Sequence, residues 1–504
     1  VSNHLFDAMR AAAPADAPFM RTGSGQTWSY GDAFALSGRI ASAMDTLGIR
    51  PGDRVAVQVE KSAEALILYL ACLRSGAVYL PLNTAYTLAE LDYFIGDAEP
   101  RLVVVASTAR EGVATIAQRH GAIVETLDAD GSGSLLDLAR DEPADFVDAS
   151  RSADDLAAIL YTSGTTGRSK GAMLTHGNLL SNALTLRDYW RVTAGDRLIH
   201  ALPIFHTHGL FVATNVTLLA GASMVLLSKF DADEVVSLMP EATMLMGVPT
   251  FYVRLLQSPR FGKEAAANIR LFISGSAPLL AETHTEFEAR TGHAILERYG
   301  MTETNMNTSN PYEGKRIAGT VGLPLPEVTV RVTDPATGLV LPAEQTGMIE
   351  IKGPNVFKGY WRMPEKTAAE FTADGFFISG DLGKIDSDGY VHIVGRGKDL
   401  VISGGYNIYP KEVESEIDRI EGVVESAVIG VPHPDFGEGV TAVVVRKPGA
   451  VLDEKTIVTA LQDRLARYKQ PKRIIFAEDL PRNTMGKVQK NILRQQYAGL
   501  YTGT

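Results

Sequence analysis

Short apolar runs alternate with longer amphipathic stretches from the N-terminus to about residue 390, a rhythm that predicts an α/β domain. RVAVQVE (54–60), AVYLPL (77–82), LAAILYTSG (156–164), ASMVLLS (222–228), TMLMGV (243–248), RLFISGS (270–276) and HAILERYG (293–300) read as strands, and 63–73 as a helix. Several of these runs end in Gly, Ser or Thr. Ligands of open α/β sheets gather beyond the carboxyl ends of strands, so these junctions are candidate sites of chemistry. From about Val328 the pattern shifts to short strands and turns: VTVRV, GMIEIKG, GYVHIVG. A smaller unit starts near residue 396. Pro410 opens a helix with Val413, Ile417 and Ile420 on one face; SAVIGV and TAVVVRK read as strands, followed by a helix over 456–465, the strand RIIFAE and a helix over 488–497. The expected organisation is two domains, 1–395 and 396–504, joined by GRGKD (395–399).

One segment tests this reading. Residues 210–228 carry no charge and are long enough to cross a bilayer, but include Thr214, Asn215, Thr217 and the break Ala220-Gly221-Ala222. A buried helix followed by a strand is predicted instead. The start of the chain, VSNHLFDAMRAAAP, lacks a basic stretch followed by an apolar core, so no secretory signal is expected.

Composition narrows the function. The chain has 504 residues, 45% hydrophobic and 21% charged, which excludes a disordered or fibrous chain. Its net charge of −11 gives no global basic field for nucleic acid or an anionic membrane. The single cysteine, Cys72, sits in the apolar run LILYLACL and reads as a buried structural thiol, which suits a reducing cytoplasm.

The most informative stretch is YTSGTTGRSKG (161–171). Its glycines let backbone N–H groups curl around phosphate oxygens, its hydroxyls donate further bonds, and Lys170 adds charge. The Walker A pattern cannot be laid on it, and GRGKDL (395–400) fails G-x-G-x-x-G at Leu400. The loop therefore points to phosphate without pointing to a P-loop NTPase or a dinucleotide enzyme. His206-Thr-His208 lacks the further ligands that zinc requires.

At this loop the chain resembles the adenylate-forming enzymes: acyl-CoA synthetases, firefly luciferases and nonribosomal-peptide adenylation domains. PIFHTHG (203–209), SGSAPL (274–279), RYGMTE (298–303), TGMIEIKGPNVFKGYW (346–361), FISGDLG (377–383), GRGKDLVISGGYNIYPKEVE (395–414) and PRNTMGK (481–487) follow in the family's order and approximate spacing. The resemblance implies a large N-terminal domain of stacked α/β sheets with a β-rich subdomain, and a small, mobile α+β C-terminal domain, with the active site between them. It also implies an AMP-forming ligase: a carboxylate attacks the α-phosphate of Mg·ATP, and a thiol then displaces AMP. Because an anion meets a polyanion, cations are needed. Lys487 matches the family lysine that bridges carboxylate and phosphate. Thr162, Ser163, Gly164, Thr165, Thr166 and Lys170 would hold the β- and γ-phosphates, and Glu303 would sit by Mg²⁺, directly or through water. Gly275, Ser276 and Ala277 would flank the adenine, Tyr299 would stack on it, and Thr302 would lie near the α-phosphate. Asp381 would take the ribose hydroxyls, with Arg396 assisting at ribose or phosphate. Lys398 would be the hinge, and Gly404 and Gly405 would admit the pantetheine arm of coenzyme A. No carrier domain is expected after Lys487, which favours free CoA over a carrier-bound thiol.

The acid is read from Arg298, which stands where many relatives carry a small residue. A buried arginine needs an anion, and a second substrate carboxylate pairs with it bidentately. The alternative is a structural salt bridge, for instance to Glu297. His206 and Thr207 would add a cation or donor opposite. A small dicarboxylate follows, with malonate the shortest stable choice, and the resemblance extends to malonate-activating members of the family. Met306 would limit room at the α-carbon against bulkier substituted malonates. Arg168 departs from the usual loop residue, in a phosphate or a substrate role. Arg446, Lys469, Lys472 and Arg473 are candidates for the CoA 3′-phosphate. The rival readings are another short acid or methylmalonate, and a non-catalytic nucleotide-binding protein.

Overall fold

The computed structural model describes residues 2–162, 169–403, 406–462, 464–484 and 486–501, with Asn407 described in its backbone alone. By compactness the chain forms two units: Val1–Thr329 with Ile351–Phe377, and Val330–Glu350 with Ile378–Thr504.

In the first unit, among the described residues, a nine-stranded sheet runs in the order Leu323–Pro324, Asn305–Ser309, Leu296–Met301, Leu271–Ser274, Met244–Gly247, Arg197–His200, Ser223–Leu226, Pro18–Thr22, Thr27–Ser29. A seven-stranded sheet runs Gly359–Tyr360, Lys170–Thr175, Leu156–Thr162, Val78–Pro81, Arg54–Gln58, Leu102–Val105, Ile123–Thr126. The strands read from the sequence are all present. Their central pairs are parallel, as crossover helices require: Met244–Gly247 pairs in parallel with Leu271–Ser274, and Arg54–Gln58 with Val78–Pro81. The helix Ala63–Ser75 is buried along its whole length, begins at the Ser62 cap and stops where Gly76 turns left-handed. Cys72 within it is free and fully buried, and burial pushes its thiol pKa up. Residues 210–228 form the end of a π-helical stretch His208–Thr214, the helix Asn215–Leu219 and the strand Ser223–Leu226. Among the described residues no helix is long and apolar enough to cross a membrane.

The second unit holds two sheets. One runs Thr329–Thr333, Gly347–Lys352, Phe377–Ile385, Val391–Arg396. In the other, Tyr406–Ile408, Val401–Ser403, Gly437–Arg446 and Val423–His433 follow in order, with Arg473–Ala477 parallel to Gly437–Arg446. The period of two in Gly437–Arg446 explains why it is apolar almost throughout. Val440, Ala442 and Val444 join one core with Val413 and Ile417 of the helix Pro410–Asp418 and Ile457 and Leu461 of the helix Glu454–Leu461. Val443 and Val445 join a second core with Leu493 of the helix Lys490–Gln496. The compactness division falls upstream of the 395/396 boundary read from the sequence. Within this unit the helix Pro410–Asp418 lies against the strand Val391–Arg396, and Arg494 pairs with Asp399, so the first sheet is tied to the second.

Asp418, largely enclosed, accepts a hydrogen bond from Ser426 Oγ at 2.7 Å. Burial raises its pKa from 3.8 to about 7, with Glu414 and Glu425 adding and Ser426 and Lys411 opposing. The protonated folded form costs nothing below about pH 4; as pH rises from there through about 7, the unfolded state ionises first and stability is lost. Asp418→Asn should therefore raise the thermal midpoint above pH 7 and leave it nearly unchanged near pH 4. A difference that does not vary with pH would contradict this assignment.

Candidate active site

In the first unit the site grows from the carboxyl ends of parallel strands. The strand Leu296–Met301 pairs in parallel with Leu271–Ser274 and antiparallel with Asn305–Ser309, setting Arg298 opposite Ser309 and Tyr299 opposite Thr308. Arg298 is 3% exposed, and its Nε and Nη2 have no hydrogen-bond partner. Its guanidinium lies over the α-carbon of Gly275, where an added Cβ would overlap it. Burial lowers its pKa to about 9, with Tyr252 opposing, so it stays charged at neutral pH. Among the described residues no carboxylate pairs with it, and Glu297 Oε1 instead accepts from the Leu279 N–H. Among the described residues, then, Arg298 has no carboxylate in a salt bridge.

More unpartnered polar atoms lie along the segment that follows Arg197–His200. Thr207 Oγ1 and His208 Nε2 are buried without a partner, while His208 Nδ1 meets Ser276 Oγ at 3.2 Å. His208 is held neutral chiefly by burial, with Arg298, His206 and His200 adding to the downward shift. Ser276 takes a left-handed backbone (φ 72°), an uncommon conformation for a side-chain-bearing residue. Gly209 is required because a Cβ there would overlap the Pro203 carbonyl. Met306 is 2% exposed and its methyl lies over Gly300. Asn182 grips its backbone from both sides, donating to Met306 O at 2.9 Å and accepting from Met306 N at 3.2 Å.

The strands on either side of the glycine-rich loop read from the sequence form an antiparallel pair in which Thr162 stands opposite Lys170. Ser163, Gly164, Thr165, Thr166 and Arg168 lie outside the described residues. Lys170 Nζ lies 3.2 Å from Glu370 Oε1 and 4.1 Å above the Tyr360 ring. The Tyr360 hydroxyl lies 2.6 Å from Glu370 Oε2 and 2.9 Å from Glu303 Oε1, its one proton shared between two carboxylates, which joins Lys170 to Glu303 through one network. Burial would raise the Glu370 pKa, but bonds from Lys366, Tyr360 and Lys170 prevail and lower it. Tyr360 and Glu370 were not among the residues singled out from the sequence; the GYW turn of the motif ending at Trp361 is the only hint of them. Ala277 and Thr302 are partly exposed, as are Tyr299 and His206, both of which make further contacts within the protein.

In the second unit Asp381 stands opposite Arg396 across the hairpin, with Oδ1 2.6 Å from Arg396 Nε. The Asp381 N–H donates to Ser379 Oγ at 3.0 Å, and Ser379 Oγ donates to the Ile349 carbonyl at 2.7 Å. Lys398 follows on a short turn; burial lowers its pKa to about 8, opposed by Asp399 and reinforced by Arg396, Lys487 and Arg494. The Lys487 turn is closed by the Asn483 side chain accepting from Lys487 N at 2.9 Å and by the Asn483 N–H donating to Lys487 O at 2.9 Å. Desolvation of its ammonium lowers the Lys487 pKa although the residue keeps surface exposure; Arg396 adds, while Asp381 and Asp399 oppose. Lys487, Lys398, Arg396 and Asp381 thus share one electrostatic neighbourhood. Gly404 and Gly405 lie outside the described residues. Arg446, Lys469 and Arg473 are engaged with Leu452 O, Glu412 and Glu454, and Lys472 lies 3.7 Å from the centre of the Phe436 ring.

Residues 7–361 match the family described as AMP-binding enzyme, and residues 412–487 match the AMP-binding enzyme C-terminal domain. The crystal structure of ATP-bound MatB from Rhodopseudomonas palustris superposes with a TM-score of 0.98 at 64% identity, covering 99% of this chain and 100% of that one. The feruloyl-CoA synthase of an Amycolatopsis species is 37% identical over 94% of both chains. The malonate–CoA ligase of Arabidopsis thaliana is 35% identical over 94% of this chain and 85% of its own. The chain belongs to the AMP-binding enzyme family and has its adenylate-forming fold with a C-terminal domain.

Proposed function

We propose that this chain is an AMP-forming acid–thiol ligase that makes malonyl-CoA from malonate, ATP and coenzyme A. The observation that carries the substrate is Arg298: a buried, charged guanidinium with two unpartnered nitrogens beside Gly275. Breaking a buried ion pair costs about 3–5 kcal/mol because a charge is left uncompensated, so a site holding such a charge favours an acid that brings the missing anion. An acid with an apolar tail would leave Arg298 unpaired. The similarity to the Arabidopsis malonate–CoA ligase supports the same reading. Substituted malonates meet Met306, which Asn182 holds in place.

The chemistry has two steps. A malonate carboxylate oxygen attacks the α-phosphorus of ATP, the bond to the bridging oxygen breaks, and pyrophosphate leaves. The CoA thiol then attacks the acyl carbon, and AMP departs. Arg298 holds the carboxylate that does not react, with Thr207 and His206 as further polar contacts. Thr162 and Lys170 hold the terminal phosphates together with Ser163, Gly164, Thr165 and Thr166; Gly275, Ser276, Ala277 and Tyr299 take the adenine, Thr302 the α-phosphate, and Asp381 with Arg396 the ribose. Lys487 offsets the charge of carboxylate and phosphate as they approach. Glu303 suits Mg²⁺, which uses one or two carboxylates plus substrate phosphates; this carboxylate is buried and joined to Lys170 through Tyr360 and Glu370. When bound, Mg²⁺ would neutralise phosphate charge. We keep the functional boundary at 395/396 with Lys398 as the hinge and Gly404 and Gly405 for the pantetheine arm, and place the enzyme in the cytoplasm, in keeping with its lone buried thiol.

Arg298→Ala should lower kcat/KM for malonate by about 2–5 kcal/mol, read from initial rates of AMP release; unchanged malonate kinetics would remove Arg298 from the acid site. Lys487→Ala should nearly abolish malonate-dependent ATP–pyrophosphate exchange while thioester formation from supplied malonyl-AMP persists. Equal loss of both half-reactions would refute that role.

A further inference from the structure

Against segment 200–209 lies a half-buried lysine, Lys61, to which the proposed adenylation chemistry gives no role. Lys61 follows the strand Arg54–Gln58 of the seven-stranded sheet, and His200 ends the strand Arg197–His200 of the nine-stranded sheet. Lys61 Nζ lies 2.9 Å from His200 Nδ1, 2.7 Å from the His200 carbonyl and 2.7 Å from the Leu202 carbonyl. On its other side His200 Nε2 lies 2.9 Å from the Gly209 carbonyl, which also accepts from Thr214 Oγ1 at 2.9 Å.

Hydrogen-bond geometry assigns the donors and acceptors. A carbonyl only accepts, so His200 Nε2 carries a hydrogen, and a neutral ring then leaves Nδ1 as an acceptor. Three acceptors surround Nζ, which matches the three donors of an ammonium. Burial pushes the Lys61 pKa well below its ordinary value, and the contacts hold the segment whether the amine carries two hydrogens or three. No ion pair with a carboxylate is recorded for it among the described residues.

The geometry also closes a ring. Segment 200–209 leaves the strand at His200 and returns to the His200 side chain at Gly209 O, a carbonyl in the π-helical stretch His208–Thr214. Lys61 pins the outgoing limb at two carbonyls. Inside the ring lie His206, Thr207 and His208; His208 bonds to Ser276, next to Gly275, on which the Arg298 guanidinium packs.

We propose that Lys61 is a positioning residue for the diacid pocket: with His200 it staples segment 200–209 shut and so holds His206 and Thr207, the polar contacts proposed for the second carboxylate, in place. The effect is specific to the acid and to its second charge. The proposal rests on the reading of the acid as a dicarboxylate, malonate.

The test is Lys61→Met, which keeps the length and removes the donors, assayed by CoA-dependent AMP release with malonate and with acetate. The KM for malonate should rise about tenfold, that for ATP less than twofold, and the malonate-to-acetate ratio of kcat/KM should fall at least fivefold. A structural loss alone would lower both acids and ATP use together, and that outcome, like an unchanged malonate KM, would overturn the proposal. Should Lys61→Met fail to fold, His200→Gln, which removes the ring acceptor but leaves the carbonyls, is judged by the same criteria. The wild-type enzyme separates the two readings: failure to use malonate at all sinks the substrate assignment, whereas failure of the variants to alter acid preference sinks the role of Lys61.

Discussion

A positive charge sealed from water, with no carboxylate paired to it among the described residues, is what the rest of this architecture is arranged around. Arg298 is held on a central strand by pairing on both sides, and its guanidinium rests on a glycine, the residue type that leaves it room. The protein keeps that charge at the cost of desolvating it, visible in a pKa brought down to about 9. Left empty the arrangement is unfavourable; with a carboxylate opposite, it becomes a bidentate recognition element.

The surrounding features keep this charge usable. Glu297, one residue away, accepts from the Leu279 N–H. Asn182 grips the backbone of Met306, which fixes the wall on the neighbouring strand. The phosphate side is built separately, with Tyr360 linking Glu303 to Glu370 and Glu370 linking to Lys170. The groups proposed for the acid and those proposed for phosphate therefore belong to different networks within one unit, while Lys487, Lys398, Arg396 and Asp381 form a third cluster in the other.

Much of this was legible in the sequence, and for physical reasons. Strands such as Leu271–Ser274 and Met244–Gly247 announce themselves because both of their faces are buried, which forces continuous apolar runs. Arg298 stands out because an arginine inside such a run demands an explanation. Glycines mark close approaches, as Gly209 against Pro203 and Gly275 against Arg298 bear out. What the sequence hides are partners joined only by the fold. Lys61 and His200 are 139 positions apart, Asn182 and Met306 are 124 apart, and Glu303 and Tyr360 are 57 apart. Each is an ordinary polar residue in its local context. The same reason makes the four-stranded sheet hard to assign: its strands are short, and its ties to the C-terminal chain are long-range.

The most direct measurement is a panel of acids offered to the wild-type enzyme with ATP and coenzyme A, reading AMP release for acetate, malonate, methylmalonate, succinate and a medium-chain fatty acid. A pocket organised around a buried unpaired guanidinium should give the highest kcat/KM with malonate and poor use of acetate and the fatty acid. Ready activation of acetate or the fatty acid, with malonate ignored, would contradict the account.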